Sequence, residues 1–593
     1  MGNPLTRTAA FRRVPFKEPS SHATSPSFLL LVAFAVTWGL PGPSAHAQAA
    51  RGSRAQRQSR VDAVFAPWSG KSTPGCAVGS SRDGVVDSVR GYGMANLEYD
   101  APITPRSSFA LASISKQFTA FSIRLLEQEG KLSLDDDIRK YLPEMPVREK
   151  PITVAHLLHH TNGLREQGQL LNLAGWRGDD VYTEADILWA STRQRGVNFE
   201  PGAEVLYGNA AYTLLAVIVR RVSGKSLRVF ADERIFKPLG MADTHFRDDR
   251  NEVVPRRASA YVAREGGGWR LSMPNSDHYG STNLYTTVVD LLKWEQNLLD
   301  GRVGGPALVA RMQTSGTLND GTVTGYGSGL RLSEYRGLRT VSHDGMEAGY
   351  RTEATLFPEQ RLAVVTLCNG AKIDATDLAR KVAEVYLGDR MKDTMPPAVT
   401  LPEAELLALA GAYWSPQTDE VVRLEVKDGA LWQVGVPTPF VHIGQGAFRP
   451  GASTHVWRFS APTKAGAPRE LSIRDMWPTT RDFIRVSEPL PTSAELAAFA
   501  GQYRSDELDT TYTVRIANGA LAIQWPRRDE VVLEAVGGER FVGSLGAVTF
   551  TRAASGGIDG VLISNRRLRR FRADRVGLAR QPPAVSTSAP GRH

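Results

Sequence analysis

Cysteine and long apolar runs are both scarce in this chain of 593 residues. Its two cysteines, Cys76 and Cys368, exclude a framework of several disulfides. The apolar run from Phe28 to Leu40 has 13 residues, whereas a membrane-spanning helix needs about 20. The composition therefore excludes a disulfide-rich small fold and predicts no stable membrane insertion.

The chain is basic, with a formal net charge of +9, but it lacks an arginine-rich motif typical of nucleic-acid binding. The segment "RRLRRFRADR", from Arg566 to Arg575, alternates as a strand with one solvated face does. We therefore expect no nucleic-acid partner. The positive charge suits either plain solubility or an anionic cell envelope.

The N-terminus has the order of segments that marks a secretory signal. Basic residues, the last of them Lys17, precede the apolar run, and small residues follow it up to an A-x-A site at Ala45 to Ala47. This order predicts a signal peptide over residues 1–47 that is removed on export. The mature protein is then expected in the periplasm or outside the cell.

The pattern of strands and helices predicts one mixed domain over residues 48–393. Two strands turn at Asp83 and Gly84, helices fill the middle, and strands return from Tyr326 onwards. Such an order predicts an α/β (α+β) fold, in which one antiparallel sheet is flanked by helices and an all-helical part is added. If the first and last strands pair, Cys76 and Cys368 face each other. A disulfide and two buried thiols both remain open.

A proline-rich linker precedes a duplicated region. "AELLALAGAYW" begins at Ala404 and "AELAAFAGQYR" at Ala494, and a second pair of matching blocks keeps the same offset of 90 residues. Short alternating strands and turn dipeptides predict a small antiparallel barrel in each copy, over residues 401–490 and 491–580. The polar tail 581–593 is expected to be disordered.

Ser113 and Lys116 stand three residues apart at the start of a predicted helix. This spacing places both side chains on one face of the helix. A serine hydroxyl needs a nearby base to act as a nucleophile, and a lysine in a dry cleft loses its proton more easily because burial disfavours charge. The pair therefore indicates acyl transfer, although S-x-x-K alone is a weak motif.

Two further motifs follow in order. Tyr207 and Asn209 form a Tyr-x-Asn pair, and His343-Asp344-Gly345 lies on a predicted strand. With S-x-x-K they make the chain resemble the serine hydrolases related to class C β-lactamases and penicillin-binding proteins. The resemblance covers about Arg60 to Gly388 and implies their β-lactamase/transpeptidase-like fold.

The resemblance also implies catalytic roles. Ser113 would be the nucleophile, and Lys116 beside it would lower its pKa. Tyr207 would carry the proton between Ser113 and the leaving group. Asn209 would hydrogen-bond the amide of the substrate, and His343 would line the far wall of the cleft.

The remaining roles concern the strand that follows His343. The backbone N–H groups of Ser113 and Met346 would form the oxyanion hole. Gly345 would let the substrate lie close against the strand. Ser115 is expected to serve local packing only.

The chain departs from penicillin-binding enzymes at His343, where they usually carry lysine, and it contains no K-T-G. A mostly neutral histidine anchors a carboxylate less well, so the departure favours an esterase, amidase or aminopeptidase. With two barrels behind it, the domain resembles the bacterial D-aminopeptidases. There a loop of the last barrel reaches the active site and helps to select a free amino terminus. Asp506, Asp509 and Asp559 lie in predicted turns that could supply an acid.

The leading hypothesis is an exported serine hydrolase that forms an acyl-enzyme on Ser113 and acts as a D-aminopeptidase-like peptidase or amidase. The alternatives are an esterase or weak β-lactamase/DD-peptidase and, from another class, a penicillin-binding sensor or peptidoglycan-binding scaffold without turnover. The expected substrate is a small peptide, amide or ester, and an oligomer is compatible. We expect no cofactor, and no metal at His156, His159 and His160, because no carboxylate or cysteine completes a ligand set.

Overall fold

The computed structural model describes residues 45–393, 396–451, 455–460, 469–474 and 477–577. The predicted signal peptide lies outside these residues except at 45–47, which open the helix Ala45–Phe65. The predicted disordered tail also lies outside them. Within the described ranges, no helix combines the length and apolar character needed to cross a bilayer.

A six-stranded antiparallel sheet forms the centre of the first domain. Its spatial order is β3-β4-β5-β6-β1-β2, which brings the first strands of the domain against the last. The strands are β1 (Cys76–Arg82), β2 (Val85–Tyr92), β3 (Arg331–Tyr335), β4 (Leu338–Glu347), β5 (Tyr350–Phe357) and β6 (Leu362–Cys368). The predicted pairing of the opening and closing strands is confirmed.

Cys76 and Cys368 are paired residues of β1 and β6 and form a disulfide across 292 residues of sequence. The alternative of two buried thiols is therefore not adopted. The bridge lies in the interior of the sheet, where it joins the two ends of the domain.

Helices cover the two faces of the central sheet, build the all-helical part and precede the first strand of each barrel. The helices are α1 (Ala45–Phe65), α2 (Ser115–Gln128), α3 (Val154–Leu158), α4 (Gln167–Leu173), α5 (Glu184–Thr192), α6 (Asn209–Ser223), α7 (Leu227–Ala231), α8 (Lys237–Leu239), α9 (Val288–Asp300), α10 (Pro306–Met312), α11 (Ala375–Leu387), α12 (Glu403–Leu409) and α13 (Ser493–Phe499). On one face α9 lies so close to β1 that a Cβ at Gly79 would come within 2.7 Å of Val288. On the other face, Val382 of α11 packs in one core with Val78 and Phe357.

Short strands connect these helices. They are Met94–Asn96, Ala101–Pro102, Phe109–Ala110, Tyr182–Thr183, His245–Phe246, Tyr261–Ala263, Trp269–Leu271, Ser276–Asp277 and Leu284–Thr286. The antiparallel pairing of Phe109–Ala110 with Leu284–Thr286 fixes the segment just before Ser113. The start of α2 is therefore held from both sides.

Helix α2 begins at Ser115, two residues after Ser113, where the sequence predicted the start of a helix. Phe118, Phe121 and Leu125 lie on its buried face, and Gly130 ends it in a left-handed conformation with φ of 69°. Apolar side chains at these spacings anchor one side of a helix in a core. This anchoring holds the polar residues of the first turn in a fixed position.

Two eight-stranded antiparallel barrels follow. The first comprises Gly411–Trp414, Val421–Lys427, Ala430–Gln433, Phe440–His442, Ala447–Pro450, Val456–Phe459, Glu470–Arg474 and Thr480–Arg485, and its edges meet through a bridge between Trp432 and Pro439. The second is closed and comprises Gly501–Ser505, Thr510–Ala517, Ala520–Gln524, Val531–Gly537, Arg540–Gly543, Gly546–Arg552, Ile558–Asn565 and Leu568–Arg575. The predicted fold, a mixed domain followed by two small barrels, is confirmed.

The two barrels repeat the same internal contacts at the offset read from the sequence. The Tyr413 hydroxyl donates to the carbonyl of Leu409 over 2.9 Å, and the Tyr503 hydroxyl donates to that of Phe499 over 2.7 Å. An arginine at the end of each copy donates hydrogen bonds to two backbone carbonyls. Arg485 donates to those of Ala408 and Ala410. Arg575 donates to those of Ala498 and Ala500. The duplication is thus visible in side-chain detail.

The second barrel docks on α4 and α5 of the first domain. Leu170 and Ile187 belong to the same buried cluster as the barrel core. The Tyr512 hydroxyl donates to the carbonyl of Leu173 over 2.8 Å. Arg165 and Glu507, with side chains 6% and 8% exposed, form an ion pair of 2.9 Å. Apolar burial and a paired buried charge together fix the barrel on the domain.

Candidate active site

Ser113 lies in a single 3₁₀ turn, Ala112–Ile114, immediately before α2. Ala112 has a φ of 49°, a conformation that costs free energy for any residue other than glycine. The carbonyl of the preceding residue, Leu111, accepts a hydrogen bond of 2.9 Å from the Thr352 hydroxyl on β5. The surrounding sheet therefore holds a strained turn that presents Ser113, half-buried, to a cleft.

Lys116 is completely buried beside Ser113. Its Nζ donates to Ser113 Oγ over 3.1 Å, to Asn209 Oδ1 over 2.7 Å and to the Ser281 carbonyl over 2.9 Å. Burial lowers the pKa of Lys116 to about 7, while the negative charge of Glu166 acts in the opposite direction. A lysine with this pKa is substantially neutral near pH 7 and can accept the serine proton.

Asn209 and Glu166 form the support of Lys116. Asn209 is the first residue of α6, and its Nδ2 donates to Glu166 Oε1 over 2.9 Å. Its backbone N–H donates to Glu166 Oε2 over 2.6 Å. Both polar atoms of the Asn209 side chain therefore contact protein groups here. Its predicted contact with the substrate amide remains a prediction.

Tyr207 lies across Lys116, with the ring centre 4.8 Å from Nζ. Burial raises the pKa of Tyr207 above its usual value, and the neighbouring Ser113 hydroxyl acts in the opposite direction. The ring packs against His160, at 4.4 Å between centres. Tyr207 is thus a protonated phenol at neutral pH, placed to donate a proton close to Ser113.

His343 lies on β4 and is completely buried. Its Nδ1 donates to the Asp344 carbonyl over 2.6 Å, and its Nε2 accepts from the Tyr326 hydroxyl over 3.1 Å. Burial and the nearby charge of Arg331 lower the pKa of His343 to about 3. The imidazole is therefore neutral throughout the physiological range.

Gly345 and Met346 continue β4 beside the serine turn. A Cβ at position 345 would lie 2.2 Å from both the Leu111 carbonyl and Thr352 Oγ1. Glycine thus allows the strand to lie directly against the segment before Ser113. The Met346 side chain is 67% exposed and borders the cleft. The oxyanion hole assigned to the N–H groups of Ser113 and Met346 stays a prediction.

The cleft above Ser113 has a volume of about 580 Å³ and is formed by all three domains. Its lining residues are Ser113, Val205, Leu206, Tyr207, Asn209, Arg331, Asp344 and Met346 from the first domain, His455, Trp477, Thr479 and Arg481 from the first barrel, and Arg566, Arg567 and Arg569 from the second. The two barrels are therefore part of the wall of the site.

A family model described as Beta-lactamase matches residues 61–387, which is more than half of the chain. The chain belongs to the beta-lactamase family. This family name covers hydrolases of many substrates and does not itself fix the activity.

Two named proteins are similar in sequence to this chain. A D-aminopeptidase of Gluconobacter oxydans is 27% identical over 472 residues, which span 79% of this chain and 86% of the relative. Penicillin-binding protein 4* of Bacillus subtilis is 31% identical over 296 residues, 47% of this chain and 64% of the relative. The similarity to the D-aminopeptidase extends into the barrels.

Among solved structures, the octameric penicillin-binding protein homologue from Pyrococcus abyssi resembles this family member. It has a TM-score of 0.52 at 21% identity, and the match covers 80% of this chain and 98% of that one. At this identity the likeness concerns the fold alone.

The structure also shows the contacts of the other residues that the sequence analysis singled out. Ser115 Oγ accepts the N–H of Leu284 over 3.1 Å, a packing role as predicted. The three histidines serve different partners: His156 caps α3, His159 contacts the Tyr326 carbonyl and His160 packs on Tyr207. Asp506, Asp509 and Asp559 of the second barrel are absent from the described lining of the cleft, where Arg566 and Arg567 lie instead.

Sequence reasoning missed Glu166, Tyr326, Arg331 and Arg567. Glu166 lies shortly after the three histidines considered as metal ligands, and Tyr326 marks the predicted start of the closing strands, but neither position carried a chemical motif. Arg331 pairs with Asp344, which is the middle residue of His343-Asp344-Gly345. Arg567 lies 224 residues beyond His343, and no local signal connects them.

Proposed function

We propose that the chain is an exported serine hydrolase that cleaves short amide or peptide substrates through an acyl-enzyme on Ser113, with D-aminopeptidase-like specificity. The observation that carries the proposal is the buried Lys116, which donates to Ser113 Oγ while Asn209 and Glu166 hold it in place. The D-aminopeptidase relative, similar across domain and barrels, supports an amide rather than a β-lactam substrate.

The proposed reaction begins with neutral Lys116. It accepts the hydroxyl proton of Ser113 as Oγ bonds to the carbonyl carbon, and the carbonyl oxygen becomes an oxyanion. Tyr207 donates its proton to the leaving amine as the C–N bond breaks, and is reprotonated from Lys116. Water then attacks the serine ester, the same groups accept its proton, and Ser113 is released with its hydrogen restored.

The test is a substrate panel on the purified mature chain and Ser113→Ala. We expect hydrolysis of D-amino-acid amides, lowered by at least about 10³-fold in the variant, and an acyl adduct on Ser113 by mass spectrometry. Equal turnover by the variant would overturn the mechanism. Cleavage of nitrophenyl esters or a cephalosporin alone would favour the esterase or β-lactamase alternative, and a stable adduct without turnover would favour the sensor.

Export belongs to the same proposal and is motivated by the basic, apolar and small segments before Ala47. N-terminal sequencing of the protein recovered from a bacterial periplasm or medium is expected to begin near residue 48. Recovery of the full-length chain from the cytoplasm alone would contradict it.

A further inference from the structure

The tip of one hairpin in the second barrel enters the cleft. Arg566 and Arg567 form the two-residue turn between Ile558–Asn565 and Leu568–Arg575. Asn565 Oδ1 accepts the Arg567 N–H over 3.1 Å, as asparagine commonly does at the first position of a turn. The Arg567 carbonyl accepts the N–H of Glu166 over 3.2 Å. The turn is therefore fixed both by its own barrel and by the segment that supports Lys116.

The lining of the cleft is strongly cationic. Among the described lining residues, five are arginines and Asp344 is the single carboxylate. Three of the arginines have carboxylate partners: Arg331 pairs with Asp344, Arg481 with Glu420 at 2.6 Å and Arg569 with Glu204 at 2.9 Å. These pairs leave the positive charge of the turn uncompensated at Arg567.

Arg567 has no carboxylate within ion-pair distance in the part of the chain that the structure describes. Its guanidinium lies over the Tyr207 ring, 5.3 Å from the centre, and the side chain is half-buried. The planar guanidinium presents several donors that match a carboxylate. Arg567 thus combines an unneutralised charge with a fixed position directly over a catalytic residue.

The carboxylates that could receive a substrate ammonium are already engaged. Asp344 is paired with Arg331, and Glu166 accepts two hydrogen bonds from Asn209. A cationic amino terminus that entered beside Arg567 would meet positive charge, whereas an anion would be attracted. A substrate with a free amino terminus would therefore bind with its anionic group, and not its ammonium, against this wall.

We propose that the Arg566–Arg567 turn creates a carboxylate subsite, with Arg567 as its main ligand, so that preferred substrates are short amides that carry a carboxylate. The inference rests on the proposed function only in taking a short amide as the substrate that is cleaved. The carboxylate can come from the C-terminus of a dipeptide or from an acidic side chain of the acyl residue, and the two sources need separate probes.

The experiment measures binding to the inactive Ser113→Ala chain by calorimetry, so that it is independent of turnover. The first pair of probes is D-alanylglycine and its carboxamide, and the second is the α-amides of D-glutamate and D-glutamine. In one pair or the other, the acid is expected to bind at least about tenfold more tightly than its neutral analogue. The pair that shows the preference identifies the source of the carboxylate.

When Arg567→Gln is added to the Ser113→Ala chain, the acid and its neutral analogue are expected to bind with about equal affinity. Arg504→Gln is the matched control, because Arg504 is exposed on the same barrel and pairs with Asp509; it should leave the ratio unchanged. Equal affinities within both pairs, or a ratio that survives Arg567→Gln, would overturn the subsite. Such a result leaves the acyl-enzyme on Ser113 untouched, because that is tested by the adduct.

Discussion

The two barrels are copies of one fold, yet they bring opposite chemistry to the same cleft. At the offset of 90 residues, Trp477 of the first barrel is the counterpart of Arg567 of the second, and both line the cleft. Trp477 packs on Tyr326 at 5.6 Å between ring centres, while Arg567 covers Tyr207. Duplication therefore supplied one scaffold, and equivalent positions of its two copies carry different side chains at the cleft.

The barrels also differ in how they are attached. The first has a buried cluster of its own, with Tyr413 and Phe459 among its members. The second shares its cluster with Leu170 and Ile187 of the catalytic domain. The core of the second barrel is therefore continuous with helices of the first domain, whereas the first barrel keeps a core of its own and contributes Trp477 to the main cluster of the first domain.

The largest expected difference concerns the two tyrosines beneath these turns. Tyr207→Phe removes the proposed proton donor but keeps the ring under Arg567, so kcat for amide hydrolysis should fall by about 10²- to 10⁴-fold. Tyr326→Phe removes the hydroxyl that donates to His343, and its effect should be about tenfold. Steady-state kinetics measure both, and a larger loss in Tyr326→Phe would reverse the assignment of roles.

The next difference concerns two buried ion pairs. Glu507→Ala leaves Arg165 buried without its partner and should lower the free energy of unfolding by about 3–5 kcal/mol. Glu420→Ala in the first barrel leaves Arg481, which borders the cleft, and should cost roughly 1–3 kcal/mol. Denaturant titration measures both changes. Equal losses would show that the Arg165–Glu507 pair between the first domain and the second barrel contributes no more than a pair within one barrel.

Removal of the disulfide should distinguish the thermal unfolding of the two barrels. Cys76→Ala with Cys368→Ala should lower the stability of the catalytic domain by about 2–4 kcal/mol, because the bridge closes a long loop. The second barrel should melt with that domain, and the first should keep its own transition. Scanning calorimetry distinguishes the transitions, with reduced wild-type protein as the control. A shift of both barrels together would contradict the independence of the first.

The smallest expected effect is on the pH profile. Toward a neutral ester, kcat/KM should rise through about pH 7 as Lys116 loses its proton. His343, with a pKa of about 3, stays neutral over this range. The charge of Arg567 lowers the pKa of Lys116, so Arg567→Gln should move the midpoint upward, by less than about one unit. Trp477→Phe carries no charge change and should leave the midpoint in place.

Local sequence patterns were sufficient for the frame of the site. The S-x-x-K spacing predicted that Ser113 and Lys116 lie together at the start of a helix; Lys116 lies in the first turn of α2, and Ser113 lies in the 3₁₀ turn just before it. The expected pairing of the first and last strands along the chain placed Cys76 opposite Cys368. In each case the relevant information is the spacing along one element or the order of elements.

The wall of the cleft could not be read in this way, because barrel docking determines it. The alternation in "RRLRRFRADR" correctly predicted the strand Leu568–Arg575. It also predicted one solvated face, which Arg570 and Arg572 form. Arg569 lies on the opposite face of the strand, buried against Glu204. The two arginines before the strand lie in the turn that reaches Tyr207. Their location depends on contacts such as that between the Arg567 carbonyl and the Glu166 N–H, which lies about 400 positions earlier in the chain.

The pairing of β1 with β6 has a consequence for biosynthesis. Cys76 leaves the ribosome 292 residues before its partner, so the central sheet of the domain cannot be completed until most of the domain has been made. Contacts of such long sequence separation slow folding and expose unpaired strand edges. The barrels, whose strands pair largely with their neighbours in sequence, face no such delay. The central sheet, and not the duplicated region, is therefore expected to be the slowest part of this chain to fold.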